Sequence, residues 1–168
     1  MNDSTNNLLF GNMREDQPDW TIVNDEVMGG RSSSRVAITP EKKLVFSGYL
    51  SLENNGGFAS FRMNVDKHIP AGFSRLSFRL KGDGKKYRFR IRNEDLWDDV
   101  SYSYGFRTIN DIWMQYDIPL KKFVPVYRGK QIMHPERLKS EDIRQIGLLI
   151  SDKQSGPFSV ILQWVKCY

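Results

Sequence analysis

The sequence is poor in the residues that usually carry chemistry. It holds one cysteine, Cys167, so no internal disulfide can form and no cysteine-based metal site can be built. Its only histidines, His68 and His134, lie close to prolines and read as loop residues. A lone loop histidine is ordinarily solvated surface, not a general base. Nothing approaches the roughly 18 apolar residues of a membrane span. Residues 1–10 lack the basic and apolar segments of a secretory signal. These absences lead to the expectation of a cytoplasmic protein without membrane insertion. Also missing are a Gly-x-Ser-x-Gly elbow, a Gly-x-x-x-x-Gly-Lys phosphate loop and a dinucleotide fingerprint. The sequence therefore assigns no catalytic residue and no cofactor, and reads as a binding protein, not an enzyme.

Charge of either sign is not in large excess. There are 25 basic and 20 acidic residues, a net charge of +5, which permits an anionic partner without requiring one. A chain of 168 residues suits one domain over 1–168, with the polar, Asn-rich residues 1–7 as a loose tail. At this size about 70% of the unfolded surface can be buried, so neither metal nor disulfide is needed for folding.

Strand patterning is what the sequence has in quantity. Aromatic residues make up 12% of the chain, and flat rings pack well on pleated surfaces. Leu76-Ser77-Phe78-Arg79-Leu80 alternates, Gly82-Asp83-Gly84 supplies a turn, and Tyr87-Arg88-Phe89-Arg90-Ile91-Arg92 alternates again. This pattern predicts a β-hairpin. Tyr87, Phe89 and Ile91 should face the core, leaving Arg88, Arg90 and Arg92 on the other face, about 7 Å apart. Further strands are expected at 35–38, 44–52, 57–63, 100–106, 112–118, 145–151 and 158–165. In the last of these Phe158, Val160, Leu162 and Trp164 should share a face. About nine strands at regular spacing predict a β-sandwich or barrel. Helix is minimal: Ser140-Glu141-Asp142-Ile143 offers one short turn, with Ser140 as N-cap.

Three groups of residues are candidates for contact with a ligand or partner. The arginine stripe Arg88, Arg90 and Arg92 is either a solvated face, paired to Glu94 and Asp95, or a binding surface. Tyr102 and Tyr104 could add aromatic platforms to it. Trp113 aligns with Gln115 and Asp117 on the polar side of its strand, and a large aromatic there is the best single contact residue. Trp20 and Trp164 read as core. Around Trp97, Glu94, Asp95, Asp98 and Asp99 offer hard oxygens to Ca²⁺ or a carboxylate pair for glycoside hydrolysis. Their spacing fits no calcium loop, so they read as a solvated loop and no metal is assigned.

Two segments do not read as ordinary strand and turn. In the first, Asn24-Asp25-Glu26-Val27-Met28 runs into Gly29-Gly30. In the second, Glu53-Asn54-Asn55 runs into Gly56-Gly57. Read from the residues alone, these are two tight turns entering strands, with Asn and Asp side chains capping them.

The pair of motifs resembles the complex I intermediate-associated protein 30 family. Tyr104-x-Phe106, Trp113, Ile118-Pro119-Leu120, Phe123, Arg128-Gly129, Ile146-Gly147-Leu148-Leu149-Ile150 and Lys153-Gln154-x-Gly156-Pro157-Phe158 follow in the order that family shows. The resemblance implies a galactose-binding-like jelly-roll sandwich. It also implies a chaperone-like role in assembling NADH:ubiquinone oxidoreductase, with protein partners such as subunits of a membrane complex. Three functional readings follow in order: a protein-interaction or assembly factor, a carbohydrate-binding module, and a binder of single-stranded nucleic acid.

Overall fold

The computed structural model of the chain describes residues 7–11, 19–93, 100–133 and 136–168. In chain order the strands are β1 (Leu8–Phe10), β2 (Trp20–Ile22), β3 (Ser33–Ile38), β4 (Leu44–Leu50), β5 (Ala59–Asn64), β6 (Arg75–Lys81) and β7 (Lys86–Arg92). They continue with β8 (Ser101–Arg107), β9 (Trp113–Pro119), β10 (Val124–Tyr127), β11 (Lys130–Gln131), β12 (Gln145–Ile150) and β13 (Gly156–Cys167). Every expected strand is present. The sequence pattern missed β1, β2, β10 and β11, which have two to four residues each, too few to show a period.

The strands form two antiparallel sheets. The first runs β3-β4-β13-β6-β9, with β1 also against β13; the second runs β11-β10-β8-β7-β12-β5-β2. Alternation supplies the reason they stack: each strand turns one apolar face inward. Phe46, Phe78, Leu80, Phe158 and Leu162 of the first sheet meet Phe61, Tyr87, Phe89, Ile91 and Leu148 of the second in one core. Phe78 bridges the two layers, stacking on Phe89 at 4.6 Å between ring centres. Such a ring pair adds about 0.5–1.5 kcal/mol to the burial itself. The result is an all-β jelly-roll sandwich in which the described residues have only 3₁₀ turns for helix.

Three expectations are corrected. The segments around Gly82-Asp83-Gly84 do not form a hairpin. β6 pairs with β13 and β9 in the first sheet, whereas β7 pairs with β12 and β8 in the second. The glycine turn is a corner that carries the chain between sheets. Asp83 holds it, accepting hydrogen bonds from the Tyr87 hydroxyl at 3.0 Å and from the Ser159 N–H of β13 at 2.9 Å. A Cβ on Gly82 would lie 2.3 Å from the Thr108 side chain, so the corner closes only on glycine. Burial, and then the Asp83 charge, push the Tyr87 phenol well above its ordinary pKa.

The second correction lies in β13. Its register against β6 slips between Leu162 and Trp164. A bulge of this kind moves every following side chain to the other face. Val165 and Cys167 therefore enter the core, while Trp164 turns outward and is only half-buried. Burial pushes the Cys167 thiol up to about 12, so it stays protonated and inert. Trp20, by contrast, packs against the core. Third, Ser140 is not an N-cap: its hydroxyl donates to the Pro70 carbonyl at 2.8 Å, and Lys139 occupies the cap position.

Candidate functional site

The two glycine motifs come together around one carboxylate. Asp25 is fully buried. Its oxygens accept hydrogen bonds from the Ser32 N–H at 2.9 Å, the Ser32 hydroxyl at 2.5 Å, the Gly57 N–H at 2.7 Å and the Phe58 N–H at 3.3 Å. The second glycine of the first motif and the first of the second press against it. A Cβ on Gly30 would lie 2.4 Å from the Asp25 Cγ, and one on Gly56 2.6 Å from Oδ2. Glycine at these two positions is thus a steric requirement of the carboxylate. Burial pushes the Asp25 pKa up, but the donors from Ser32, Gly57 and Phe58 outweigh it and hold the group below its ordinary value.

The remaining motif residues stitch the same clamp. Asn24, also buried, accepts from the Ser34 hydroxyl at 2.8 Å and the Ser60 N–H at 3.3 Å. The Asn54 amide donates to the Gly29 carbonyl at 3.2 Å, tying one loop to the other. Asn54 and Asn55 both take left-handed backbone conformations, at φ 56° and 58°. Glu53 meets Arg31 at 3.6 Å in an exposed pair. Met28 is the exception: its side chain is 68% exposed and turns outward.

Beside this clamp, the outer face of the second sheet is hollowed into a groove of about 710 Å³. Met28, Asn55, Gly56 and Gly57 form its rim, Arg88, Arg90 and Ser103 its polar floor, and Val124, Val126 and Leu149 its apolar floor. A recess of about 150 Å³ shares Phe58, Arg90 and Leu149 with it and adds Arg62, Arg92 and Gln145. The arginine stripe therefore does share one face, as the alternation of β7 predicts. The stripe is not uniform. Arg88 reaches Asp152 at 3.6 Å. Arg90 has no ion pair among the described residues, and its buried Nε has no hydrogen-bond partner. Ser103 stands directly opposite Arg90 on β8. It is 0% exposed, and its hydroxyl also lacks a partner. Burial first, and then the charges of Arg92 and Arg88, draw the Arg90 pKa down to about 10, so the guanidinium stays charged at neutral pH.

The tyrosines do not belong to this surface. Tyr102 and Tyr104 lie opposite Ile91 and Phe89 in the ladder and share their inward face. Tyr102 is 3% exposed, and Tyr104 packs against the core beside Phe123. The run Ser101-Tyr102-Ser103-Tyr104-Gly105-Phe106 carried that signal, since its small residues alternate with rings. Nor does Trp113 join the arginines. It lies half-buried on the outer face of the first sheet, where Lys43, Arg79 and Lys81 sit 4.8, 5.4 and 5.5 Å from its ring centre. The acidic candidates Glu94, Asp95, Asp98 and Asp99, and His134, lie outside the described residues. A third hollow, about 600 Å³, is formed by the loops before β6, after β9 and before β12, and none of its lining residues has an unpartnered buried polar side-chain atom. Nothing in the sequence marks Ser103, because one serine among several shows its burial only once the strands are paired.

No helix among the described residues is long and apolar enough to cross a membrane. Comparison with solved structures finds the same fold. A family 11 carbohydrate-binding module from Clostridium thermocellum, in complex with a β-1,3-1,4-mixed-linked tetrasaccharide, superposes with a TM-score of 0.69 over 96% of this chain and 94% of its own, at 18% identity. A mutant family 29 carbohydrate-binding module complexed with mannohexaose gives 0.58 over 96% and 89%, at 9% identity. At such identities the likeness is one of fold. In sequence, a mouse (Mus musculus) protein named complex I intermediate-associated protein 30, mitochondrial, is 26% identical over 92% of this chain and 53% of its own length. A Caenorhabditis briggsae protein, named as a probable mitochondrial protein of the same kind, is 28% identical over 74% of this chain and 42% of its own. The chain spans about half the length of these curated relatives. The family model described as complex I intermediate-associated protein 30 matches residues 9–162, and the chain belongs to that family.

Proposed function

We propose that this chain is a non-catalytic binding protein that grips a protein partner in the groove of the second sheet, as a chaperone-like assembly factor. The observation that carries the reading is the pair of unpartnered buried polar atoms, Arg90 Nε and Ser103 Oγ, on the groove floor. Buried polar groups in native proteins are almost always hydrogen-bonded, and those that are not call for an explanation such as a missing partner. Family membership favours one kind of partner. The relatives are named for association with an intermediate of complex I, and a role of that kind would make the partner a subunit of a large membrane complex.

Glycan binding is the second reading. It is favoured by the sheet-face groove and by arginine forks that can donate several hydrogen bonds to sugar hydroxyls. It is weakened by the inward turn of Tyr102 and Tyr104, which leaves Phe58 as the one aromatic side chain among those lining the groove. Capture from native lysate, with wild type and Arg90→Met as parallel baits, decides between them. A stable protein retained by wild type and lost by Arg90→Met supports the reading. No stable protein partner, together with a glycan-array signal that depends on Arg90, replaces it with the second.

A further inference from the structure

The chemistry of the groove also specifies what part of a partner it takes. We propose that it binds an extended acidic polypeptide segment, with a carboxylate of that segment seated between Arg90 and Ser103. This rests on the groove being the binding surface.

The assignment follows from charge, shape and what the floor lacks. A half-buried guanidinium, its Nε out of water and with no counter-charge among the described residues, carries a cost that a carboxylate removes: the carboxylate's two oxygens accept from a fork of N–H donors, and the Ser103 hydroxyl opposite can donate to the same group. Arg88 is partly neutralised by Asp152 and stands further along the strand, so the strongest unmet demand is at Arg90. Alternate residues of an extended segment recur at about 7 Å, the spacing of the arginines on β7. Val124, Val126, Leu149 and Phe58 flank the charge with apolar surface. That suits a segment in which acidic and apolar side chains are mixed. Nucleic acid would seek several stacking rings along its path, and the groove lining has one, Phe58. An acidic polysaccharide would satisfy Arg90 but make little use of the valines and leucine.

The full chain should be titrated, by fluorescence anisotropy, into labelled octapeptides of alternating Glu and Val and of alternating Gln and Val. The expected result is at least tenfold tighter binding of the Glu peptide, with a further loss of about tenfold in both Arg90→Met and Ser103→Ala. Arg90→Met should fold, because it removes a charge that has no ion pair among the described residues, and thermal unfolding checks this; Ser103→Ala keeps the test open if it does not. Equal affinity for the two peptides overturns the proposal, as does unchanged Glu-peptide binding in folded variants. So does stronger, Arg90-dependent competition by oligouridylate or polygalacturonate than by the Glu peptide. If lysate capture still shows a protein that depends on Arg90 while the peptides do not discriminate, only the acidic-segment assignment falls. If neither is seen, the protein-binding reading falls with it.

Discussion

Asp25 and Arg90 line the same groove, the one fully and the other half-buried, yet the surroundings of their charges differ completely. Around Asp25 two loops supply four hydrogen bonds, and glycines close in until no side chain could fit. Among the described residues Arg90 stands beside Ser103, Leu149 and two further arginines, and its Nε meets no acceptor. A charge whose partners are all internal serves the fold. A charge left without one, on the floor of a groove, is an opening for something from outside. The family motif thus builds the rim, and the proposed binding chemistry sits beside it on the sheet.

Neutralising each charge in turn tests this contrast, and the largest effect should come from Asp25. Asp25→Asn places an amide among donors and should destabilise the protein by about 3 kcal/mol in urea unfolding. Acid should imitate it. The folded pKa of Asp25 is depressed, so its contribution is present above the unfolded value near 3.8 and is lost as pH falls through the lower folded value. The difference in melting temperature between wild type and Asp25→Asn should therefore shrink steadily below pH 4. Gly56→Ala, which forces a methyl to within 2.6 Å of the same carboxylate, should cost about 1–3 kcal/mol. Arg90→Met should reverse the pattern, leaving the melting temperature equal or higher while partner affinity drops about tenfold. Smallest of all, Trp113→Ala should cost about 1 kcal/mol through its lost cation contacts and leave partner capture intact. An equal loss of capture in Trp113→Ala and Arg90→Met would erase the distinction between the two faces.

Much of the fold was legible because burial writes itself into alternation: Tyr87, Phe89 and Ile91 against Arg88, Arg90 and Arg92 needed no coordinates. Pairing was not legible. The short Gly82–Gly84 link looks the same whether it reverses a chain within a sheet or turns it into the next, and only distant strands β9, β12 and β13 decide which. The slip at Trp164 was hidden for a related reason, since a bulge is a mismatch between two strands and one strand alone cannot show it. At the site, the arginine stripe could be read but the loneliness of Arg90 could not, because a missing partner is a property of everything around it. The glycine motifs were recognisable as turns; that they converge on one carboxylate became visible only when residues 25 and 57 were brought together.

The placement of β13 has a consequence for how the chain acquires this fold. Of the strands described it comes last in chain order, yet it lies between β4 and β6 in the first sheet. At roughly 5–20 residues per second, the ribosome holds β4 and β6 without their shared neighbour for several seconds or more. Through that interval both would expose unpaired edges and apolar faces, so a nascent chain stalled before residue 156 should be open to aggregation and to capture by a holdase. During synthesis the chain would itself depend on its half-built first sheet being kept apart from other chains.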